Sequence, residues 1–200
     1  MTERVSIASV DGKNDGVDLA FNRVGVFSAE ECNALISWAE TERITERSRV
    51  DNRKASLERE ASKRRHWRFV ASLATENQAV AGFQRKLHRW VVALNEQIWH
   101  FHVTHFSELL VFRFETGDGV GLHMDLDMEY CDRKLVAFVQ LSSAHSYGGG
   151  VLEFGLPVAA ACREQGSLLV FPSWVPHRLT PVTSGVRYTA VCLALGPSFR

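Results

Sequence analysis

The sequence predicts a mainly β fold, an all-β barrel or jelly roll with N-terminal helices packed on its outside. Two long helical patterns lie in the first half of the chain. From residue 99 onward, apolar residues alternate or form short runs, and Gly, Pro and Ser separate the runs. No linker divides the chain, so we expect one domain over residues 1–200, with helical support at about 1–98 and a β core at about 99–196.

Composition and charge are those of an ordinary globular domain. The chain has 200 residues, of which 46% are hydrophobic and 23% charged, and its formal net charge is zero. A net charge of zero provides no general attraction to nucleic acid or to a membrane surface. The longest apolar runs have the length of strands, which argues against a spanning helix, and no secretory signal is visible after Met1.

The cysteines indicate a reducing compartment. They include no CxxC pair, so we interpret them as reduced thiols, some of them in the core, and expect a cytoplasmic protein. They are Cys32, Cys131, Cys162 and Cys192.

The N-terminal third begins with polar residues and continues into a helix. Residues 1–18 predict a loose end or an early hairpin, and the weak alternation over 20–27 favours an edge strand. Ser28 and Glu31 have the spacing of a capping box, which predicts a helix from residue 29 to about 41. Its apolar stripe consists of Cys32, Leu35, Ile36 and Ala39.

A highly charged segment separates this helix from a second one. Residues 43–68 mix basic and acidic side chains, which favours a solvated face or a mobile loop. A lid that grips an anionic substrate is the alternative. Residues 76–98 carry apolar side chains at three- and four-residue steps, which predicts a helix that backs a sheet.

The remaining residues predict a series of short strands. We place them near 100–103, 109–114, 120–125, 134–141, 151–154, 167–171, 177–180 and 186–195.

A candidate metal site follows the glycine-rich stretch 114–125, which reads F-E-T-G-D-G-V-G-L-H-M-D. In an extended segment His123 and Asp125 lie on the same face, where they can occupy adjacent positions of a divalent metal. A third ligand is available in His177, which opens a strand after a proline-bounded turn. Two histidines and one carboxylate form the facial triad of non-haem Fe(II) oxygenases, which leaves metal positions open for a chelating cosubstrate and O₂.

A basic residue follows the third ligand. Arg187 lies ten positions after His177, on the predicted strand 186–195. Its guanidinium can hold a carboxylate through two parallel hydrogen bonds. Thr189 is two residues further along the same face and offers a hydroxyl donor.

In this order, these residues resemble the prolyl-hydroxylase-like branch of the 2-oxoglutarate/Fe(II)-dependent dioxygenases. The resemblance is clear over about 109–195, and the stretch V-F-S-A-E-E-C at 26–32 looks like the usual entry to the family's first helix. The stretch G-G-V-L-E-F at 149–154 looks like the family's glycine-led strand. The resemblance implies a double-stranded β-helix (jelly roll) with helices outside it.

The resemblance also implies roles for the site residues. His123, Asp125 and His177 match the Fe(II) ligands. Arg187 matches the residue that binds the far carboxylate of 2-oxoglutarate, with Thr189 as its hydroxyl neighbour. The implied cofactors are therefore Fe(II), 2-oxoglutarate as cosubstrate, and O₂.

The implied activity is hydroxylation of an unactivated C–H in an amino acid, a peptidyl residue or a small metabolite, with succinate and CO₂ as coproducts. A non-catalytic metal- or ligand-binding barrel and a zinc hydrolase with the same ligands are the alternatives, and Arg187 argues against the hydrolase. Where prolyl-hydroxylase relatives often carry tyrosines, this sequence has Phe114 and Val120. The orientation of 2-oxoglutarate and a preference for proline are therefore not implied.

The polar loop 127–134, D-M-E-Y-C-D-R-K, directly follows the metal motif, and loops beside a rigid site often determine specificity. We expect a small-molecule or peptidyl substrate, without a nucleic-acid or membrane partner, and leave the oligomeric state open. The candidate substrate residues are Arg113, Asp127, Tyr130 and Arg133. For His100, His102 and His105 we prefer a structural role at a strand edge and its turn to a second metal site. Asp127 and His145 could compete as metal ligands, and we interpret Asp127 as a residue of the substrate loop.

Overall fold

The structure, a computed structural model, describes residues 2–6, 18–46, 67–71, 76–155 and 161–199. These residues form strands β1 (Thr2–Ser6), β2 (Asp18–Arg23), β3 (Trp67–Ala71), β4 (His105–Phe106), β5 (Leu109–Phe114), β6 (Val120–His123), β7 (Arg133–Gln140), β8 (Tyr147–Gly149), β9 (Leu152–Phe154), β10 (Leu168–Pro172), β11 (His177–Leu179), β12 (Val182–Gly185) and β13 (Arg187–Leu195). The helices are α1 (Ala29–Glu46) and α2 (Gln78–Leu94), and a π-helical turn (Asn95–Trp99) follows α2.

The strands form two antiparallel layers. The main sheet has the order β1-β2-β10-β7-β13-β5-β3, and β4 adds to the end of β13. The second layer contains the sheet β6-β11-β9 and the pair β12-β8. Neighbouring strands come from distant parts of the chain, as in a jelly roll. The predicted mainly β fold with a jelly-roll core is confirmed.

Two hydrophobic cores lie on opposite faces of the main sheet. The outer core packs α1 and α2 against the sheet through residues such as Leu35, Leu87 and Val111. The inner core lies between the two strand layers and includes Phe171 and Leu179. The helices therefore lie outside the β core, as the sequence predicts, and the inner space between the layers is available for a site.

Both helices begin close to their predicted positions. Ser28 and Glu31 form the predicted capping box: the Ser28 amide donates to the Glu31 carboxylate at 2.8 Å, and the Glu31 amide donates to Ser28 Oγ at 3.2 Å. Helix α1 extends to Glu46, beyond the predicted end at about 41. Helix α2 begins two residues later than predicted because Asn77 caps it by accepting from two backbone amides. No helix among the described residues has the length and apolar character that crossing a membrane requires.

The prediction of the strands was correct for the long ones and incomplete for the others. Strand β5 has the predicted bounds, but the strand near 100–103 is absent, and β4 lies just after that position. The predicted edge strand at 20–27 is β2, which lies between β1 and β10 and is not at the edge. Strand β1 pairs with β2 antiparallel, so the early-hairpin interpretation of residues 1–18 fits better than a loose end.

Besides β4, three strands have no predicted counterpart. Strands β8 and β12 are short and rich in Gly, Ser and Thr, so they carry no apolar periodicity. Strand β3 begins at the end of the charged segment 43–68, for which the sequence favours a solvated face or a mobile loop, and its last three residues are too few to show a periodicity. Residues 47–66, where a lid was the alternative interpretation, lie outside the described residues.

Candidate active site

A cavity of about 350 Å³ lies between the two strand layers. Its walls are mostly apolar side chains from both layers: Leu110, Phe112, Phe114, Val120, Phe138, Leu152, Leu179, Val191 and Leu193. The polar side chains in the lining are His123, Asp125, Arg133, His177 and Arg187. Arg187 is the first residue of β13, whereas Arg133 pairs with Leu195 at its other end, so the two arginines enter the cavity from opposite ends.

The two histidines face each other across neighbouring strands. His123 on β6 pairs with His177 on β11, and their ring centroids are 4.3 Å apart. Each ring donates its Nδ1–H to a carbonyl two residues earlier, Gly121 O at 2.8 Å and Val175 O at 3.0 Å. Since a carbonyl can only accept, both Nε2 atoms carry the free lone pair that a metal ligand needs.

Asp125 reaches the histidines by a different route from the one predicted. Strand β6 ends at His123, so alternation along one strand does not place Asp125 beside it. The backbone amides of Asp125 and Leu126 instead both donate to Ser173 O at 3.0 Å. This contact ties the loop after β6 to the turn before β11 and places Asp125 Oδ2 3.5 Å from His177 Nε2.

The donor atoms of this cluster fit a divalent metal ion. One ligand atom from each of His123, Asp125 and His177 lies within 4.8 Å of the other two. His177 is only 1% exposed, and its Nε2 is buried without a hydrogen-bond partner. Burial lowers the pKa of His177, so the ring is neutral and ready to bind a metal. Among the described residues no other three His, Cys, Asp or Glu side chains meet in this way.

Arg187 is the buried cation of the site. The residue is 5% exposed, and burial lowers the pKa of its guanidinium, an effect that the Tyr147 hydroxyl opposes. Its Nε donates to Gln140 Oε1 at 3.1 Å. No carboxylate within the described part of the chain forms an ion pair with it. A buried guanidinium without a counter-ion is costly, which favours an anionic ligand at this position.

Three neighbours of Arg187 were missed by sequence reasoning: Gln140, Tyr147 and Arg163. They come from β7, from β8 and from the segment before β10, and no sequence spacing connects them. Tyr147 alone had a signal, because it directly precedes the glycines at 148–150.

The other predicted cofactor residue lies in a separate small space. Thr189 lines a cavity of about 10 Å³ that also contacts Arg187 and Asn22, and it is not part of the larger cavity's lining. The Thr189 hydroxyl and Asn22 Oδ1 are both buried without a hydrogen-bond partner. A space of this size with several polar groups suits one water molecule.

The structure brings one of the four candidate substrate residues into the cavity lining. Arg133 lines the cavity, donates to Asp125 O at 3.1 Å, and lies over the Tyr130 ring at 3.9 Å. Asp127 instead accepts from the amides of Glu129 and Tyr130, which shapes the loop. Arg113 lies outside the cavity, because the alternation of β5 turns its side chain towards α1.

Comparison with known proteins gives the same family resemblance. No family model matches the chain. A curated PKHD-type hydroxylase from Parvibaculum lavamentivorans is 36% identical over 91 residues, which are 43% of this chain and 41% of that protein. A second, from a Synechococcus species, is 31% identical over 123 residues, 54% of this chain and 53% of the relative. The resemblance to the prolyl-hydroxylase-like branch is confirmed. The chain spans about half the length of these curated relatives.

Solved structures with low sequence identity share the fold. A Pseudomonas putida prolyl-4-hydroxylase superposes with a TM-score of 0.68 at 18% identity, covering 90% of this chain and 93% of that one. A Trichoplax adhaerens prolyl hydroxylase, solved with a hypoxia-inducible-factor peptide, gives 0.69 at 14% identity over 88% and 83%. A viral collagen prolyl hydroxylase from Paramecium bursaria Chlorella virus-1, solved with 2-oxoglutarate, gives 0.64 at 20% identity over 93% and 98%. The double-stranded β-helix of these oxygenases is therefore the fold of this chain.

Proposed function

We propose that the protein is an Fe(II)- and 2-oxoglutarate-dependent oxygenase that hydroxylates an unactivated C–H bond. One observation carries this proposal: a single cavity is lined both by a cluster of two histidines and a carboxylate and by a buried arginine without a described carboxylate partner. The first feature suits Fe(II), and the second suits the far carboxylate of a dicarboxylic cosubstrate.

In this proposal His123, Asp125 and His177 hold the metal. When bound, Fe(II) and 2-oxoglutarate supply oxidative decarboxylation chemistry, in which R–H, 2-oxoglutarate and O₂ yield R–OH, succinate and CO₂. The protein fixes the two imidazole rings through their own backbone carbonyls, and it surrounds the reaction with apolar walls that exclude water.

Arg187 binds the far carboxylate of 2-oxoglutarate in this proposal. Its guanidinium is held from one side by Gln140, which leaves its other N–H groups for a ligand. Thr189 supports this end of the cavity through the small polar space that it shares with Arg187, rather than by direct contact with the cosubstrate.

The substrate enters, we propose, beside Arg133 and Tyr130. Large apolar side chains lie exposed in the same stretch of chain, where Leu122 is 63%, Met124 51% and Met128 98% exposed. Exposed apolar residues that cluster next to a cavity suit a substrate with apolar surface, either a peptidyl residue or a small molecule. The peptide complex of the Trichoplax relative is consistent with the peptidyl option.

We also propose that residues 1–200 form one dioxygenase domain and that the protein is cytoplasmic. Both cores share the main sheet, and strands from the N-terminal part of the chain belong to that sheet, which supports a single domain. All four cysteines are free thiols, as expected for a reducing compartment.

The proposal is tested by anaerobic titration of the Fe(II)-loaded protein with 2-oxoglutarate, followed by the weak visible absorption band of the chelate. We expect the band in the wild type and its loss in His177→Ala, because removing one of three ligands weakens metal binding. Arg178→Met is the matched control, since Arg178 neighbours His177 but is exposed and pairs with Glu153. On admission of O₂ and substrate, succinate is expected in equimolar amount with the hydroxylated product.

No band in folded, iron-loaded wild type would refute the 2-oxoglutarate proposal. Tight Zn(II) binding with hydrolytic activity would then favour the hydrolase, and metal or ligand binding without turnover would favour the binding module.

A further inference from the structure

Arg187 has an aromatic neighbour that carries a hydroxyl. Phe114 and Val120 line the cavity and carry no hydroxyl. Tyr147, on β8, is 6% exposed, and its ring centroid is 6.0 Å from the Arg187 guanidinium carbon. Its hydroxyl also raises the pKa of Arg187 against the lowering by burial. Tyr147 thus lies beside the guanidinium but is not part of the cavity lining.

Arg163 holds Tyr147 in place. The Arg163 guanidinium carbon lies 4.6 Å from the centroid of the Tyr147 ring, a cation–π contact. Its Nε points at the Tyr147 hydroxyl at 3.4 Å, and one terminal nitrogen donates to Tyr147 O at 3.2 Å. Ring, hydroxyl and backbone of Tyr147 are therefore all fixed by one side chain. The phenol oxygen accepts from Arg163, and the Tyr147 ring lies near both guanidinium groups.

The backbone next to Tyr147 is shaped for this contact. Gly150 has a φ of +55°, a conformation that costs a non-glycine residue free energy. A Cβ at this position would lie 3.1 Å from Arg187 Cδ, 3.0 Å from Val182 and 3.4 Å from Tyr147. Only a residue without a side chain lets the Arg187 stem and the Tyr147 ring pack against the same stretch of backbone.

We infer that Tyr147, braced by Arg163, is the positioning residue that aims the Arg187 guanidinium into the cavity. Gln140 accepts from the Nε of the guanidinium and the Tyr147 ring lies beside the guanidinium, so these two contacts restrict how the guanidinium can turn. The inference rests on the proposed function, because the ligand that Arg187 receives is the far carboxylate of 2-oxoglutarate.

The test is the affinity of the anaerobic Fe(II)-loaded protein for 2-oxoglutarate, measured by the chelate band and by calorimetry. Tyr147→Phe removes one hydroxyl and keeps the ring, and we expect 2-oxoglutarate to bind about 3- to 10-fold more weakly. Arg163→Gln should weaken it by a similar factor. Affinity for 2-oxovalerate, a chelating 2-oxo acid without the far carboxylate, should stay unchanged in both variants. Iron affinity should also stay unchanged.

A double-mutant cycle separates positioning from general damage. In the Arg187→Met background, Tyr147→Phe should change 2-oxoglutarate affinity by less than about 2-fold, because Tyr147 acts only through Arg187. Tyr188→Phe is the matched control: it also removes the hydroxyl of a buried tyrosine that accepts from an arginine, but on the opposite face of the main sheet. It should lower the melting temperature without changing the affinity for either 2-oxo acid.

The outcomes distinguish the inference from the proposed function. If Arg187→Met weakens 2-oxoglutarate binding but Tyr147→Phe does not, the inference is wrong and the proposed function stands. Equal weakening of 2-oxoglutarate and 2-oxovalerate by Tyr147→Phe would also overturn it, since that pattern means a merely structural role. Failure of the wild type to bind 2-oxoglutarate overturns both.

Discussion

Strand β13 carries neighbouring residues that belong to two arginine–tyrosine pairs on opposite faces of the main sheet. On the inner face its Arg187 meets Tyr147 from β8. On the outer face its Tyr188 accepts a hydrogen bond at 2.8 Å from Arg113 Nε of β5. The two pairs have the same side-chain types, but they differ in whether a carboxylate lies close enough to pair with the arginine.

The outer pair is closed by carboxylates. The Tyr188 hydroxyl donates to Glu40 of α1, and Arg113 also bonds Glu115. Burial, with Glu40 as the next cause, raises the pKa of Tyr188 to about 12, so the phenol stays protonated and keeps its bond to Glu40. The cation has its counter-ions, and the network joins α1 to the sheet. This is a structural role.

The inner pair has no counter-ion among the described residues. Tyr147 lies between Arg187 and a second guanidinium, that of Arg163, and the nearest polar partner of Arg187 Nε is the neutral Gln140. The inner face therefore keeps positive charge in a buried place, which is favourable only when an anion binds there. Arg113, which has carboxylate partners, therefore stabilises the fold, whereas Arg187 is available to bind an anionic ligand.

The largest contrast is expected from removing each arginine in turn. Arg187→Met should weaken 2-oxoglutarate binding by about 10- to 100-fold, since charge-assisted hydrogen bonds to a carboxylate are lost. Arg113→Met should leave that affinity within about 2-fold and instead lower the free energy of unfolding by about 1–2 kcal/mol, reduced because its carboxylate partners are partly exposed. Chelate titration and urea unfolding of both variants measure the two effects.

The reverse pattern, with Arg113→Met weakening the cosubstrate and Arg187→Met only destabilising the fold, would show that the assignment of the two faces is wrong.

A smaller effect is expected from crowding the inner pair without removing either residue. Gly150→Ala places a methyl group against Arg187 Cδ and Tyr147, and it adds backbone strain of about 1 kcal/mol. We expect this variant to bind 2-oxoglutarate about 3-fold more weakly as the guanidinium is displaced. Gly25→Ala is the matched control, because Gly25 also has a positive φ, +67°, but no atom lies within 4 Å of the added carbon. Equal affinities in the two variants would mean that the methyl group at 150 does not displace the guanidinium.

Sequence spacing decides which site residues could be predicted from the sequence. His123, Asp125, His177 and Arg187 follow one another at recognisable spacings, so a linear pattern contains them. Tyr147 and Arg163 come close to Arg187 only when three separate parts of the chain fold together. A sequence pattern records which residues recur at fixed offsets, and a packing partner from a distant strand has no fixed offset.

The metal cluster also shows how a correct expectation can rest on an incorrect step. The sequence places His123 and Asp125 on one face by strand alternation, but β6 stops at His123. The carboxylate is held in place by backbone bonds from its loop to Ser173 and by Arg133. The motif therefore predicted the residues, while the means by which they meet is a tertiary contact that alternation does not contain.

The fold was predictable to the extent that its strands carry apolar periodicity. Strands β5 and β13 are long and mostly apolar, and their predicted positions agree closely with the structure. The sequence Y-G-G of β8 has no such signal, yet this strand delivers Tyr147. This strand, which has no apolar periodicity, thus carries the residue that we infer positions Arg187.

The smallest predicted effect belongs to the outer face and concerns pH. His88 of α2 stacks on Phe106 with ring centroids 4.0 Å apart, and its Nε2 lies 3.6 Å from the Cys192 thiol of β13. Burial lowers the pKa of His88 and raises that of Cys192 to about 12, so both groups are neutral. Unlike the arginine pairs, this contact contains no charge at neutral pH.

The sign of the pH dependence follows from the lowered pKa. Above about pH 6.5 the imidazole is neutral in both the folded and the unfolded chain, and the stacking contact is fully present. As the pH falls below that value, the unfolded chain takes up a proton that folded His88 resists, so the free energy of unfolding decreases. His88→Phe keeps a stacked ring and removes this proton uptake. Urea unfolding at pH 8 and pH 5.5 should therefore show a smaller loss of stability in the variant than in the wild type. Equal losses in the variant and the wild type would mean that burial does not lower the pKa of His88 in the folded chain.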